Sequence, residues 1–133
     1  MNKKIEILDT TLRDGEQMKD VSYIPQEKLA IAKILLGDIK VDRIEIASAK
    51  VSKGEEHSVE EIINWAKNNN HLEQVEILGF VDKTESVDWI YNLGGRVMSA
   101  PSKAYQVLLV KVQLGQRLAT SLTPNLTVRE VTN

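Results

Sequence analysis

The chain has 133 residues, of which 42% are hydrophobic and 27% are charged, and its formal net charge at neutral pH is −2. This balance is typical of a globular protein and gives no electrostatic basis for binding nucleic acid or an anionic membrane. The absence of cysteine excludes a disulfide framework, a thiolate metal site and a cysteine nucleophile.

The first predicted elements are a strand, a polar loop and a helix. Residues Lys4 to Leu8 form a short apolar run that predicts a buried strand, and the sequence Arg-Asp-Gly-Glu-Gln follows at residues 13–17. Pro25 is suited to the first turn of a helix, and Gly37 predicts its end. The apolar positions that support this helix are Leu29, Ile31, Ala32, Ile34, Leu35 and Ile39.

A second strand and a second helix are predicted next. The strand covers Arg43 to Ala47, and Ser58 with Glu61 three residues later predicts a capping box at the start of the helix. Asparagines at positions 68–70 predict the end of this helix. Its apolar face consists of Ile62, Ile63, Trp65 and Ala66.

The third unit follows the same order. Residues Gln74 to Phe80 predict a strand, Thr84 a helix N-cap, and Gly94 with Gly95 a turn into a further strand at residues 96–98. Short apolar strands that alternate with helices indicate an α/β fold with a parallel sheet.

The composition changes near residue 98. Residues 1–98 contain 13 Lys and Arg against 18 Asp and Glu, whereas residues 99–133 contain 4 against 1. We predict a break at residues 99–102, a strand at residues 110–114, and no regular element from Leu118 onward. The chain is therefore divided into residues 1–98 and an unrecognised tail, residues 99–133.

The loop after the first strand carries groups suited to chemistry. Asp14 can bind a hard divalent cation, Arg13 can place positive charge on a carboxylate or a developing oxyanion, and Gln17 can both donate and accept hydrogen bonds. Gly15 permits a close approach of the backbone. The alternative is an ordinary surface turn that pairs two charges, and these five residues alone leave both interpretations open.

Three segments carry a family resemblance: residues 5–17, 41–55 and 75–82. In order and spacing they resemble the pyruvate carboxyltransferase-like family, which includes isopropylmalate, homocitrate and citramalate synthases, and the second segment is most similar to the citramalate synthase branch. The resemblance covers residues 1–98 and implies a (β/α)8 TIM barrel. Because such a barrel needs about 250 residues, we expect a partial barrel with the first three to four βα units.

The resemblance implies roles for individual residues. Asp14 would bind a divalent metal ion that also contacts an α-keto acid, and Arg13 would be the catalytic group that polarises the ketone and binds the substrate. Gln17 would bind substrate at the same edge, and Asp9 would orient the loop. Leu78 would form an apolar wall beside the methyl group of pyruvate.

Three of these residues have structural alternatives. Leu78 could be an ordinary core leucine of the barrel. Glu45, flanked by isoleucines in its strand, could be a catalytic residue that hydrogen-bonds near Arg13, or it could form a salt bridge to Arg43 or Lys50. Ser48 could touch substrate or serve as a turn residue.

The metal site is expected to be incomplete in this chain. The family completes it with a His-x-His pair on a far downstream strand, whereas this chain contains only His57 and His71. We expect both histidines in solvent, so that Asp14 alone would hold Mg²⁺, Mn²⁺ or Zn²⁺ weakly.

Two hypotheses follow. The first is an acyltransferase that condenses acetyl-CoA with an α-keto acid in branched-chain amino-acid biosynthesis, with pyruvate favoured over the substrate of a 2-isopropylmalate synthase. The second is a non-catalytic half-barrel that self-associates or pairs with another chain. Under either hypothesis we expect a cytoplasmic protein without nucleic-acid or membrane partners, since no apolar run approaches membrane-spanning length.

Overall fold

The architecture was derived from a computed structural model that describes residues 3–49, 52–79, 85–101, 105–106, 109, 112–113 and 126–131. Strands and helices alternate along most of this part of the chain. The strands are β1 (Leu8–Asp9), β2 (Arg43–Ser48), β3 (Val75–Leu78), β4 (Val97–Pro101) and β5 (Thr127–Val131). The α-helices are α1 (Pro25–Lys33), α2 (Lys53–Asn68) and α3 (Glu85–Asn92).

The five strands form one parallel sheet in which their spatial order equals their order in the sequence. This is the arrangement of consecutive strands in a (β/α)8 barrel, so the predicted partial barrel is confirmed. Apolar side chains of the central strands, among them Ile44, Ile46 and Ile77, pack with the buried faces of the helices. The carboxyl ends of all five strands therefore lie at the same edge of the sheet.

The first strand is shorter and more exposed than predicted. Instead of Lys4 to Leu8, β1 contains only Leu8 and Asp9, and Ile5 and Ile7 are 86% and 61% exposed. Within the described residues β1 pairs with β2 alone, so no second neighbour covers the other side of this segment. A strand of a parallel sheet is buried only where neighbouring strands and helices cover it.

The first helix begins at Pro25 as predicted but does not end at Gly37. After Lys33 the chain continues as a π-helix, Ile34–Ile39, and Lys40 then adopts the left-handed conformation with φ 61°. The helix thus ends with Lys40 in the left-handed conformation, which we had expected at Gly37.

The second helix begins earlier than predicted. Its N-cap is Ser52, whose hydroxyl accepts a hydrogen bond from the Glu55 amide at 3.2 Å. Ser52 and Glu55 have the same spacing as Ser58 and Glu61, so the sequence offers two possible caps and the first one is used. Ser58 lies inside the helix and donates to the Gly54 carbonyl at 3.2 Å. The helix ends at Asn68, as predicted.

The third unit contains the predicted strand, but it is shorter than predicted, because Gln74 ends a 3₁₀ turn and Gly79 lies beyond the strand. β3 covers Val75–Leu78, whereas Phe80 and the predicted N-cap Thr84 lie outside the described residues. The turn at Gly94 and Gly95 is present: Gly94 has φ 86°, and a Cβ on Gly95 would lie 3.0 Å from the Ile90 carbonyl oxygen. Both positions therefore require glycine.

The segment after residue 98 contains structure that the sequence did not predict. Ser99, Ala100 and Pro101 belong to β4 rather than to a break, and Val112 and Gln113 are helical where a strand was expected. β5 lies in the stretch without recognisable periodicity and pairs with β4 over five residues. Among the described residues, no helix has the length and apolar character needed to cross a membrane.

A candidate active site at the carboxyl ends of the strands

The loop after β1 is fixed by its own backbone. The Thr10 carbonyl oxygen accepts hydrogen bonds from the amides of Arg13, Asp14 and Gly15 at 2.8 to 3.2 Å. The Asp9 carboxylate accepts one from the Thr11 amide at 2.9 Å, which is the loop contact expected of it. Leu12 is buried in the core and attaches the loop to the sheet.

Arg13 and Glu45 form the central pair of the site. Arg13 Nε donates to Glu45 Oε1 at 2.5 Å, and the Glu45 side chain is fully buried. The second carboxylate oxygen, Oε2, accepts from the Ser99 hydroxyl at 2.5 Å. Both oxygens are therefore satisfied, as a buried carboxylate requires. Of the alternatives for Glu45, the structure contains the hydrogen bond to Arg13, whereas Lys50 lies outside the described residues.

Asp14 and Gln17 lie on the outer part of the same loop. The Asp14 side chain is 61% exposed, and one of its oxygens accepts from Arg13 Nη1 at 3.1 Å. Gln17 ends a short 3₁₀ turn, Gly15–Gln17. A Cβ on Gly15 would meet Thr11 at 3.7 Å, an ordinary contact, so nothing within the described part of the chain requires glycine there.

Two cavities adjoin the loop. A small one of about 100 Å³ is lined by Arg13, Glu16, Gln17, Ser48 and Glu55. An open depression of about 600 Å³ has Asp9, Asp14 and Gln17 among its lining residues. Arg13 and Asp14 thus face different cavities, and Gln17 reaches both.

Leu78 and Ser48 occupy equivalent positions at the ends of neighbouring strands. They are register partners on β3 and β2, and Leu78 is also the partner of Ser99 on β4. Leu78 is half-buried rather than enclosed in the core. Ser48 is buried at the end of its strand and lines the small cavity, so it is not a turn residue.

Within the described residues the structure contains no cluster of metal ligands. His57 is 60% exposed on α2 with its Nε2 3.7 Å from Glu61, as expected for a histidine in solvent. His71, by contrast, is half-buried: its ring stacks on Trp65, and its Nδ1 is 2.7 Å from the Gln74 side-chain oxygen. Across these ranges, no three His, Asp or Glu side chains are grouped to hold a metal ion. The residues present therefore do not by themselves form a metal site.

A second ionic cluster, not predicted from the sequence, lies beside the first. The buried Glu76 accepts from Arg43 at 2.9 Å and from Arg129 at 2.8 Å, which connects β3 to β2 and β5. The alternation of Arg43 and Glu45 with isoleucines on β2 was the available signal, because it places both charged residues on one face. Arg129 gave no signal, since its strand was not recognised.

The sequence is similar to known proteins in the region that builds this site. The model of the HMGL-like family matches residues 4–85, more than half of the chain. An (R)-citramalate synthase of Methanocaldococcus jannaschii is 46% identical over 77 residues, which is 58% of this chain and 14% of that protein. A 2-isopropylmalate synthase of Vesicomyosocius okutanii is 44% identical over 52% of this chain and 13% of its own length.

A homocitrate synthase of Methanopyrus kandleri is 43% identical over 52% of this chain and 17% of its own length. In each case the chain matches less than a fifth of the relative. All three relatives are synthases, and the residues that match the family model, 4–85, include the loop, Glu45 and Leu78. On this similarity and the parallel sheet, the chain belongs to the HMGL-like family.

Proposed function

We propose that this chain is part of an acyltransferase that condenses acetyl-CoA with an α-keto acid. Pyruvate, which gives citramalate, is the favoured substrate, and a 2-isopropylmalate synthase type is the next. The observation that carries the proposal is the ion pair of the half-buried Arg13 with the buried Glu45, at the carboxyl ends of the strands, where Asp14 is bonded to the same guanidinium. In barrel enzymes this edge carries the chemistry. The reaction would belong to branched-chain amino-acid biosynthesis in the cytoplasm.

The reaction joins the methyl carbon of acetyl-CoA to the ketone carbon of the keto acid. A proton leaves the methyl group, the resulting enolate attacks the ketone, and the ketone oxygen takes a proton to become a hydroxyl. Water then cleaves the thioester and releases CoA, so acetyl-CoA, pyruvate and water give citramalate and CoA. No oxidant or reductant is needed.

Arg13 is suited to the charge that develops on the ketone oxygen. Two hydrogen bonds, to Glu45 at 2.5 Å and to Asp14 at 3.1 Å, fix the plane of the guanidinium and leave other N–H groups for a ligand. A donor fixed before the reaction stabilises a developing oxyanion without reorganisation. Glu45 would hold Arg13 in this orientation, and Gln17 would bind the substrate carboxylate at the rim.

A divalent metal ion is part of the proposal, with Asp14 as its first protein ligand. The exposed carboxylate of Asp14 is chemically suitable, but one carboxylate is a weak site, and the described residues add no further ligand set. We expect this chain by itself to show no turnover above background.

Selection of pyruvate is assigned to Leu78. Its half-buried side chain lies at the end of β3, next to the strand that carries Glu45. An isobutyl group in this position would leave room for a methyl group and crowd a longer side chain.

A second candidate function is a non-catalytic half-barrel that associates with another copy or chain. One observation favours it: Ile5 and Ile7 are exposed beside β1, which pairs with a single strand within the described residues. Exposed apolar residues on an open strand edge favour association.

The decisive experiment is a chimeric enzyme in which residues 4–85 replace the matched segment of the M. jannaschii citramalate synthase. CoA release with acetyl-CoA and pyruvate is measured with a thiol reagent. We expect turnover in the chimera and none in its Arg13→Met variant, with 2-oxoisovalerate as the comparison substrate. A folded chimera without turnover, or one unaffected by Arg13→Met, would contradict the catalytic proposal and leave the half-barrel.

A further inference from the structure

Lys28 is the most deeply buried cationic side chain in the described part of the protein. Its side chain is 1% exposed, and its Nζ lies 2.5 Å from Glu16 Oε2 and 2.8 Å from Glu55 Oε1. Burial of an ammonium group is unfavourable unless carboxylates compensate the charge. Here two carboxylates from separate segments do so.

The two partners of Lys28 belong to different βα units. Glu16 lies in the 3₁₀ turn of the loop after β1, and its other oxygen, Oε1, accepts from the Tyr23 amide at 3.3 Å. Glu55 lies in the first turn of α2, where its amide is bonded to the N-cap Ser52. A residue on α1 therefore connects the loop after β1 to the beginning of α2.

Both partners are also walls of the small cavity at the candidate site. Glu16 and Glu55 line it together with Arg13, Gln17 and Ser48. Lys28 does not line the cavity but pairs with these two residues of its wall. The Lys28 ammonium group thus connects the loop that carries Arg13 and Gln17 directly to α2.

The position of Lys28 on its helix supports a specific role. Lys28 and the buried residues Ala32, Leu35 and Leu36 have the spacing of one helix face, the face that packs inward. An apolar residue would satisfy packing at such a position. A lysine with two ionic partners adds a directional connection that packing does not provide.

We propose that Lys28 is a positioning residue for the Arg13–Gln17 loop, acting through Glu16 and not by contact with substrate. The role in catalysis rests on the proposed function, whereas the effect on the loop does not. Removal of the ammonium group should free Glu16 and let the loop move relative to α2. The strands should remain folded, because both ionic partners of Lys28 lie outside them, Glu16 in the loop and Glu55 in α2.

Hydrogen exchange of the purified chain tests this inference without any need for turnover. The amides of Asp14, Gly15 and Gln17 are bonded within the loop and report its opening. In Lys28→Met we expect these amides to exchange at least tenfold faster, with little change at Ile44 and Ile77 of the core. Lys33→Met, an exposed lysine on the same helix, is the matched control and should leave the loop unchanged.

Glu16→Gln is a second variant, which leaves Lys28 in place and removes the charge of one of its partners. It should reproduce the faster loop exchange, and the double variant should be no faster than Lys28→Met alone, because both changes remove one connection. Lys28→Arg should restore most of the protection. Unchanged loop exchange in Lys28→Met, equal acceleration in loop and core, or additive effects in the double variant would each overturn the proposal. Absence of turnover in the unmodified chimeric enzyme would contradict the proposed function and would leave the effect of Lys28 on the loop untouched.

Discussion

Glu45 and Glu76 are register partners on neighbouring parallel strands, and both carboxylates are buried. Two adjacent buried carboxylates destabilise each other unless each has its own cation. Glu45 is paired with Arg13, and Glu76 is paired with Arg43 and Arg129. This part of the sheet thus carries two ion-pair clusters, one at the candidate site and one beside it.

The first prediction concerns Ser99, which satisfies the second oxygen of Glu45. Ser99→Ala removes one hydroxyl and leaves Glu45 Oε2 buried without this donor. We expect a loss of about 1–3 kcal/mol in the free energy of unfolding, the cost of an unsatisfied buried polar group. Urea denaturation measures it, with the exposed Ser22→Ala as control. Equal midpoints for the two variants would show that the hydrogen bond contributes nothing.

The second prediction concerns the other cluster. Glu76→Gln removes the charge that compensates Arg43 and Arg129, and we expect a loss of about 3 kcal/mol in stability, since breaking a buried pair leaves charges uncompensated. Arg129→Met should cost less, because Arg129 is 32% exposed and Glu76 retains Arg43. The exposed Glu73→Gln is the control. Thermal unfolding in which Arg129→Met is the more damaging change would contradict this order.

The sequence predicted those features that depend on local pattern. The alternation of strands with helices, the start of α1 at Pro25 and the tight turn at Gly94 and Gly95 follow from periodicity and from φ preferences. The placement of Glu45 near Arg13 was one of two alternatives. Strand periodicity puts Glu45 on one face, but only the fold decides which partner that face meets.

The features that were missed depend on contacts between distant residues. β5 has no signal of its own, and it is a strand because β4 offers an edge and Arg129 meets Glu76. The buried extent of β1 was overestimated because cover by a neighbouring strand cannot be read from the run itself. Lys28 was overlooked because a lysine interrupts an apolar face, although its helical spacing with Ala32 and Leu35 could have marked it.

The third prediction concerns metal affinity. Asp14→Asn removes the one exposed carboxylate of the loop that is expected to bind a metal ion, so the weak Mn²⁺ or Zn²⁺ binding we expect from calorimetry should disappear. Asp20→Asn, at an exposed position beyond the loop, is the control and should bind as the unmodified chain does. Binding that survives Asp14→Asn would place the ion elsewhere, with His57 and His71 as the first residues to test.

The fourth prediction concerns substrate selection in the chimeric enzyme. Leu78→Ala should enlarge the apolar pocket. We expect it to weaken the preference for pyruvate over longer keto acids by about 1–3 kcal/mol, the usual value of small apolar differences. The readout is the ratio of kcat/KM for pyruvate and 2-oxoisovalerate. Leu72→Ala, which shortens a half-buried leucine before β3, is the control. An unchanged ratio in Leu78→Ala would return Leu78 to a purely structural role.

The last prediction concerns association of the chain. Ile5 and Ile7 are 86% and 61% exposed beside β1, whose outer edge has no partner among the described residues. Open edges with apolar side chains favour pairing with another chain, so we expect a dimer or larger species in sedimentation velocity. Replacing both isoleucines by lysine should shift the distribution toward monomer, because charge on an edge opposes strand pairing. Ile39→Lys, a 62% exposed position on the π-helix, is the matched control and should leave the distribution unchanged. A sharp monomer peak for the unmodified chain, or an equal shift for Ile39→Lys, would show that the β1 edge does not drive association.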